Sequence, residues 1–181
     1  VMRAAPAGLL PGIALDEAFE VAVRGAALTH GHPSGHLPAG VLAGLVASLM
    51  MGQSLDGSWE EVRRLLAARD GADETLRALD QAVDLAARER IDDDEAIRRL
   101  GEGWTGEEAL AIGLFAALRG EDLVDTLRIA ANHDGDSDST ASIAGNLRGA
   151  EEGLYGLPLD WIRGLDVFEP LVEIARRWPT A

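Results

Sequence analysis

The 181-residue chain contains no cysteine and no lysine. Without cysteine it can form no disulfide and no thiolate metal site, and the composition fits a reducing compartment. Without lysine, every basic side chain other than the four histidines is an arginine, and 16 of these face 31 acids for a formal net charge of -15. A chain this acidic is a poor general binder of nucleic-acid backbone, and no arginine cluster offers a local exception. Divalent cations are easier partners for that balance, although acidic helix faces also serve solubility alone. No unbroken apolar run reaches about 18 residues, and no basic-then-apolar leader stands before the first helix. The expectation is a soluble, cytoplasmic protein without membrane association.

Strand signals are scarce too. Val, Ile and Thr are scattered rather than alternating, and no Asn-Gly or Asp-Gly joins two strand-like runs. Apolar spacing predicts helices over residues 15–29 and 38–51, the second so apolar that it should be buried. Ser58 and Glu61 read as a capping box before Val62, Leu65 and Leu66. The next helix carries a stripe of Leu76, Leu79, Val83 and Ala86, with Asp73/Arg77 and Asp84/Arg88 spaced to pair on its wet side. Asp92-Asp93-Asp94 reads as a capping cluster before residues 95–100. Thr105 and Glu108 form a second capping box, before Leu110, Ala111, Leu114, Phe115 and Leu118. Further helices are expected over residues 122–131, after the acidic loop, and over 168–178. No linker, low-complexity tract or repeat interrupts the pattern, so the chain reads as one compact, multi-helix, all-α domain.

Residues 131–158 read ANHDGDSDSTASIAGNLRGAEEGLYGLP, with Asp134, Asp136 and Asp138 alternating. An EF-hand loop needs Gly at position 6 and Glu at position 12. Counted from Asp134, those positions hold Ser139 and Gly145, so that reading fails. Asp136, Asp138 and Ser139 instead make a compact set of two carboxylates and a hydroxyl. These are hard oxygen ligands suited to Mg²⁺, Mn²⁺ or Ca²⁺. The competing reading is structural, since Asp and Ser are favoured helix caps and acids suit a helix start.

This segment resembles the C-terminal signature of the ADP-ribosylglycohydrolase family, which includes the dinitrogenase-reductase-activating glycohydrolases. Three earlier stretches resemble the same family in order: VMRAAPAGLL, ALTHGHPSG and LGEGWTGEEALAIGLFAAL. The resemblance is to the C-terminal two thirds of the family pattern only. It implies an all-α fold and a binuclear Mg²⁺ or Mn²⁺ site. It also implies hydrolysis of the bond between C1″ of ADP-ribose and a protein side chain or related small-molecule acceptor. By position, Asp136, Asp138 and Ser139 would be metal ligands, Ser139 standing where most relatives have Thr. His30 resembles the family histidine that contacts ADP-ribose, and Met2, Gly103 and Trp104 would line the ligand pocket. His32 and His36 have weaker claims, and Arg3 could pair with pyrophosphate. The plain alternatives are a helix-terminal role for His30 and a core role for Trp104. No residue stands out as the catalytic acid or base.

The family's Thr-Asp-Asp triplet, its early Glu and its glycine-rich loop have no counterpart in the chain, and Asp92-Asp93-Asp94 is not a substitute. The expectation is therefore half of a metal shell, in a fragment or in one part of a split protein. The alternative is a non-catalytic ADP-ribose-binding or interaction module. An incomplete helical domain should also expose apolar surface around residues 41–51 and 110–118, and so associate with itself or with a missing N-terminal segment.

Overall fold

Residues 33–50 contain no Asp, Glu, Lys or Arg, and Ser34, His36 and Ser48 are the only polar side chains on that stretch. In the computed structural model, which describes residues 1–179, it forms the central helix α2 (Pro33–Met50), buried from Leu37 to Leu49. It is long and apolar enough to cross a membrane by length and composition, but here protein covers it on all sides. Its neighbours are α1 (Leu15–Ala27), α3 (Leu55–Ala67), α6 (Gly106–Arg119) and α8 (Ser137–Glu152). Each fully covered Leu or Val, such as Val41, Leu42 and Leu45, contributes roughly 1.5–3 kcal/mol relative to exposure. Gly40 sets how close α1 can come, because a Cβ there would lie 2.6 Å from Val23 and 3.0 Å from Phe19.

The second buried helix is α6, covered from Ala109 to Ala117. It packs against α8 through Ile143, Ala144 and Leu147, and against α4 (Asp73–Ala86) through Leu79, Ala82 and Leu85. Two shorter helices, α5 (Asp93–Leu100) and α7 (Leu123–Ala131), flank α6. A 3₁₀ turn (Ala5–Leu9) leans on α2. Beyond α8 come a second 3₁₀ turn (Gly153–Gly156), α9 (Leu159–Arg163) and α10 (Phe168–Arg177). Among the described residues there is no strand, and the fold is the all-α one of the sequence reading.

Several boundaries differ from expectation, each for a local reason. α2 begins at Pro33, not at residue 38, with His32 as its cap, so Pro38 lies inside the helix. Proline has no N–H for the Ser34 carbonyl, and that carbonyl instead abuts Gly106, where a Cβ would sit 2.7 Å away. The expected Ser58/Glu61 capping box does not form. Ser54 caps α3 by accepting from the Gly57 amide at 3.3 Å, and the buried Ser58 donates back to the Ser54 carbonyl at 2.8 Å. Thr105 starts α6 without a side-chain cap. Glu108 reaches past it to accept from the amides of Gly103 (3.2 Å) and Glu102 (3.4 Å). The expected Asp73/Arg77 pair is replaced by Arg77 donating to the Asp73 carbonyl, while Asp80 takes a bidentate Arg63, both bonds 2.7 Å.

The expected apolar exposure lies elsewhere. Residues 41–49 and 110–117 are buried, with only Met50 and Met51 open at the end of α2. The exposed large apolar side chains gather instead in the C-terminal segment, among them Leu154, Tyr155, Trp161, Leu171 and Ile174. There α10 turns a strongly apolar stripe to solvent, held to the body by Trp178 Nε1 donating to the Leu9 carbonyl at 2.8 Å.

Candidate functional site

Three helices that are not consecutive in the chain bring their N-termini to one cleft of about 470 Å³. α2 supplies His32, Ser34 and Gly35, α6 supplies Thr105, Gly106 and Glu107, and α8 supplies Asp136 and Ser139. Each N-terminus carries about half a positive charge from the aligned peptide dipoles. Arg3 adds a full one to the wall.

Eight of the ten residues singled out from the sequence line this cleft: Met2, His30, Gly103, Trp104, Asp136 and Ser139, with Arg3 and His32. Asp138, which is exposed, and His36 are not part of the wall. His30 lies beyond the end of α1 and is exposed; its Nδ1 pairs with the Thr29 hydroxyl at 2.7 Å. His32 is occupied in capping α2, and His36 is tied to the His30 carbonyl at 3.1 Å. Trp104 is not a core anchor. It is 67% exposed at the rim, steadied by its Nε1 donating to Glu102 at 3.1 Å. Gly103 takes a φ of 80°, a conformation that side chains resist, and this kink swings the indole outward.

The acidic loop is clamped from two sides. Gly135 abuts the loop before Trp104 so closely that the Asp136 amide donates to the Glu102 carbonyl at 2.8 Å. On the other side, His133 Nδ1 accepts from the Gly135 amide at 3.1 Å. Its proton therefore sits on Nε2, which meets the buried Thr140 hydroxyl at 2.9 Å, and Thr140 donates to the Ala130 carbonyl at 2.7 Å. His133, Gly135 and Thr140 were not legible as site residues, because their work is holding main chain.

The caps test the structural reading of the aspartates. Asp92 and Asp122 each close a side-chain bond onto their own helix, at 3.2 and 2.8 Å. Asp136 occupies the capping position of α8 with its carboxylate near the Ser139 amide, but outside the geometry that Asp92 and Asp122 reach. Burial works against its charge. The nearby Ser139 hydroxyl, Asp138 and the Ser139 amide outweigh that, and hold the carboxyl below its ordinary range. The Ser139 hydroxyl also lies 3.2 Å from the Met2 sulfur. A hydroxyl beside an ionised carboxylate fits a hard divalent cation as a partial donor set. Among the described residues no three His, Asp or Glu side chains converge as a complete cage.

An uncharacterised protein of Archaeoglobus fulgidus is 28% identical over 177 residues, covering 97% of this chain and 55% of that relative. The chain thus spans about half the length of the curated relative it matches. The family model for ADP-ribosylglycohydrolases matches residues 1–180, essentially the whole chain, so the match is not confined to a C-terminal two thirds. The chain belongs to the ADP-ribosylglycohydrolase family.

Proposed function

We propose that this chain carries the ligand-binding cleft and part of the metal shell of a metal-dependent hydrolase that removes ADP-ribose from a modified side chain or related acceptor. The observation that carries the reading is the convergence of Met2, His30, Gly103, Trp104, Asp136 and Ser139 on one cleft. In this reading the pyrophosphate lies against the α2 and α6 N-termini, where main-chain amides and the dipole favour an anion, with Arg3 and His30 beside it. Trp104 offers a ring face at the rim for the adenine.

Asp136 and Ser139, with Asp138 turning in from the surface, would hold Mg²⁺ or Mn²⁺. When bound, such a cation supplies polarisation of a water and stabilises charge near the anomeric carbon. The chain's own contribution is positional. The clamp of His133, Thr140 and Glu102 on the loop keeps Asp136 facing the distal ribose. A working site of this kind needs further oxygen ligands and a proton donor for the leaving group beside Asp136, Asp138 and Ser139.

The test is calorimetric titration of Mg²⁺ and Mn²⁺ with and without ADP-ribose, beside the Asp136→Ala/Asp138→Ala double variant. Metal binding that tightens with ADP-ribose and is lost in the double variant supports the reading. ADP-ribose binding that is indifferent to metal and to both aspartates would favour a non-catalytic ADP-ribose-binding module instead.

A further inference from the structure

The turn from Gly101 to Gly103 is a thin strip of main chain between two cavities. On one side is the 470 Å³ cleft, lined by Gly103 and Trp104. On the other is a basin of about 880 Å³, lined by Gly101, Glu102 and Glu108. Glu102 stands where the two meet and is held at three points. Its carbonyl accepts from the Asp136 amide at 2.8 Å, and its carboxylate accepts from Trp104 Nε1 at 3.1 Å. Its amide donates to Glu108 Oε2 at 3.4 Å, and the next amide, of Gly103, donates to the same oxygen at 3.2 Å. Glu108 is the third residue of α6, where a glutamate ordinarily reaches back to the amide of the capping residue, here Thr105. It holds the turn two and three residues further back instead.

The turn leaves no slack on either face. Gly101 has a φ of 124°, and a Cβ there would lie 2.5 Å from the Glu108 carboxyl carbon. A Cβ on Gly103 would lie 3.0 Å from Thr140 and 3.6 Å from the Asp136 Cβ. Main chain therefore meets Glu108 on one side and the acidic loop on the other, with no flexible side chain between them to absorb a shift. Glu108 springs from a helix buried from its next residue onward, so its own position is fixed by the core. It is not among the residues of the cleft wall, and any effect it has on a ligand must pass through the turn. We propose that Glu108 is a positioning residue, which sets the Trp104 ring and the Asp136 main chain together by holding the turn that joins them. The ADP-ribose reading supplies the ligand that meets both ends, while the coupling rests on the turn alone. A displacement of the ring is then felt at the aspartate, and the reverse.

The experiment compares Glu108→Ala, which removes the acceptor, with Glu108→Gln, which keeps an acceptor oxygen. Hydrogen exchange at the Asp136 amide reads the acidic loop. Tryptophan emission reads the rim, with Trp104→Phe in each background subtracting the other three of the four tryptophans. With neither ligand nor metal present, Glu108→Ala should speed exchange at Asp136 about tenfold, the scale of one lost charge-assisted hydrogen bond. It should also shift the Trp104 emission, while the buried amides of α2 exchange as in the wild type. Glu108→Gln should hold both signals near the wild type. With ADP-ribose as the probe, Glu108→Ala should bind about tenfold more weakly, although it lines no part of the cleft. Exchange that rises equally in α2 and in the loop would make Glu108 a residue of global stability only, and would overturn the proposal. So would a change in one signal without the other, a Glu108→Gln protein as disturbed as Glu108→Ala, or wild-type ADP-ribose affinity in Glu108→Ala. If the wild type binds no ADP-ribose while both signals still move together, the ADP-ribose reading fails and the coupling stands.

Discussion

Replacing Gly135 with alanine adds one methyl group where there is no space for it. The new Cβ would lie 1.8 Å from the Glu102 carbonyl oxygen and 2.6 Å from its carbon, and main chain cannot swing aside as a flexible side chain can. The φ of Gly135 is not in the left-handed region, so the cost is contact and not backbone conformation. Overpacking of this kind costs about 1–3 kcal/mol. The two loops must part to relieve it, which breaks the 2.8 Å bond from the Asp136 amide to Glu102 and removes about 0.5–1.5 kcal/mol more. The expected loss is about 2–4 kcal/mol, read from urea denaturation midpoints at constant slope. Gly149→Ala is the control. It makes the same chemical change inside α8, where a Cβ meets nothing within 4 Å, so it should gain about 0.5–1 kcal/mol from helix propensity. Opposite signs for two identical substitutions are the signature. A Gly135→Ala protein as stable as the wild type would refute the close docking of the acidic loop on the Trp104 loop.

Two further outcomes follow from particular contacts. The apolar stripe of α10 should drive concentration-dependent self-association, and Leu171→Asp/Ile174→Asp should return the sedimentation profile towards monomer; identical profiles would remove α10 from the interface. The side-chain bond from Arg128 holds the Asp125 carboxyl below its ordinary value of 3.8, against a smaller opposing effect of burial. A depressed folded pKa gives stability that is present above 3.8 and lost as pH falls through the folded value, so wild type and Asp125→Asn should differ near neutral pH and converge below pH 3.8. A gap that stays constant down to pH 3 would argue that the Arg128 bond is unimportant to folding.

The sequence carried the helix inventory well wherever one face was apolar and the other charged. It misplaced starts where two candidate caps stood a turn apart. Ser54 and Ser58 both suit a cap, and the choice depends on Leu55 and Trp59 burying together, which is a tertiary fact. Pro38 looked like a first-turn residue because an interior proline normally breaks a helix. The structure tolerates it because the orphaned Ser34 carbonyl faces α6. Residues whose side chains line the cleft were legible as motifs. Those that act through main chain, such as His133 and Gly135, were not, since a hydrogen bond to an amide leaves little mark on residue choice. The apolar exposure was misplaced because α2 and α6 cover each other, together with α1, α3, α4 and α8, within this chain alone.

The cleft has no wall that belongs to a single hairpin or loop. Its three helix N-termini are separated by more than a hundred residues of chain from first to last, and each belongs to a helix that builds the core. Ligand capture is therefore thermodynamically linked to global folding and not to local ordering. A ligand at about 100 times its Kd should raise the unfolding free energy by about 2.7 kcal/mol. That gain should appear together in the slowest-exchanging amides of α2, α6 and α8, as one cooperative unit.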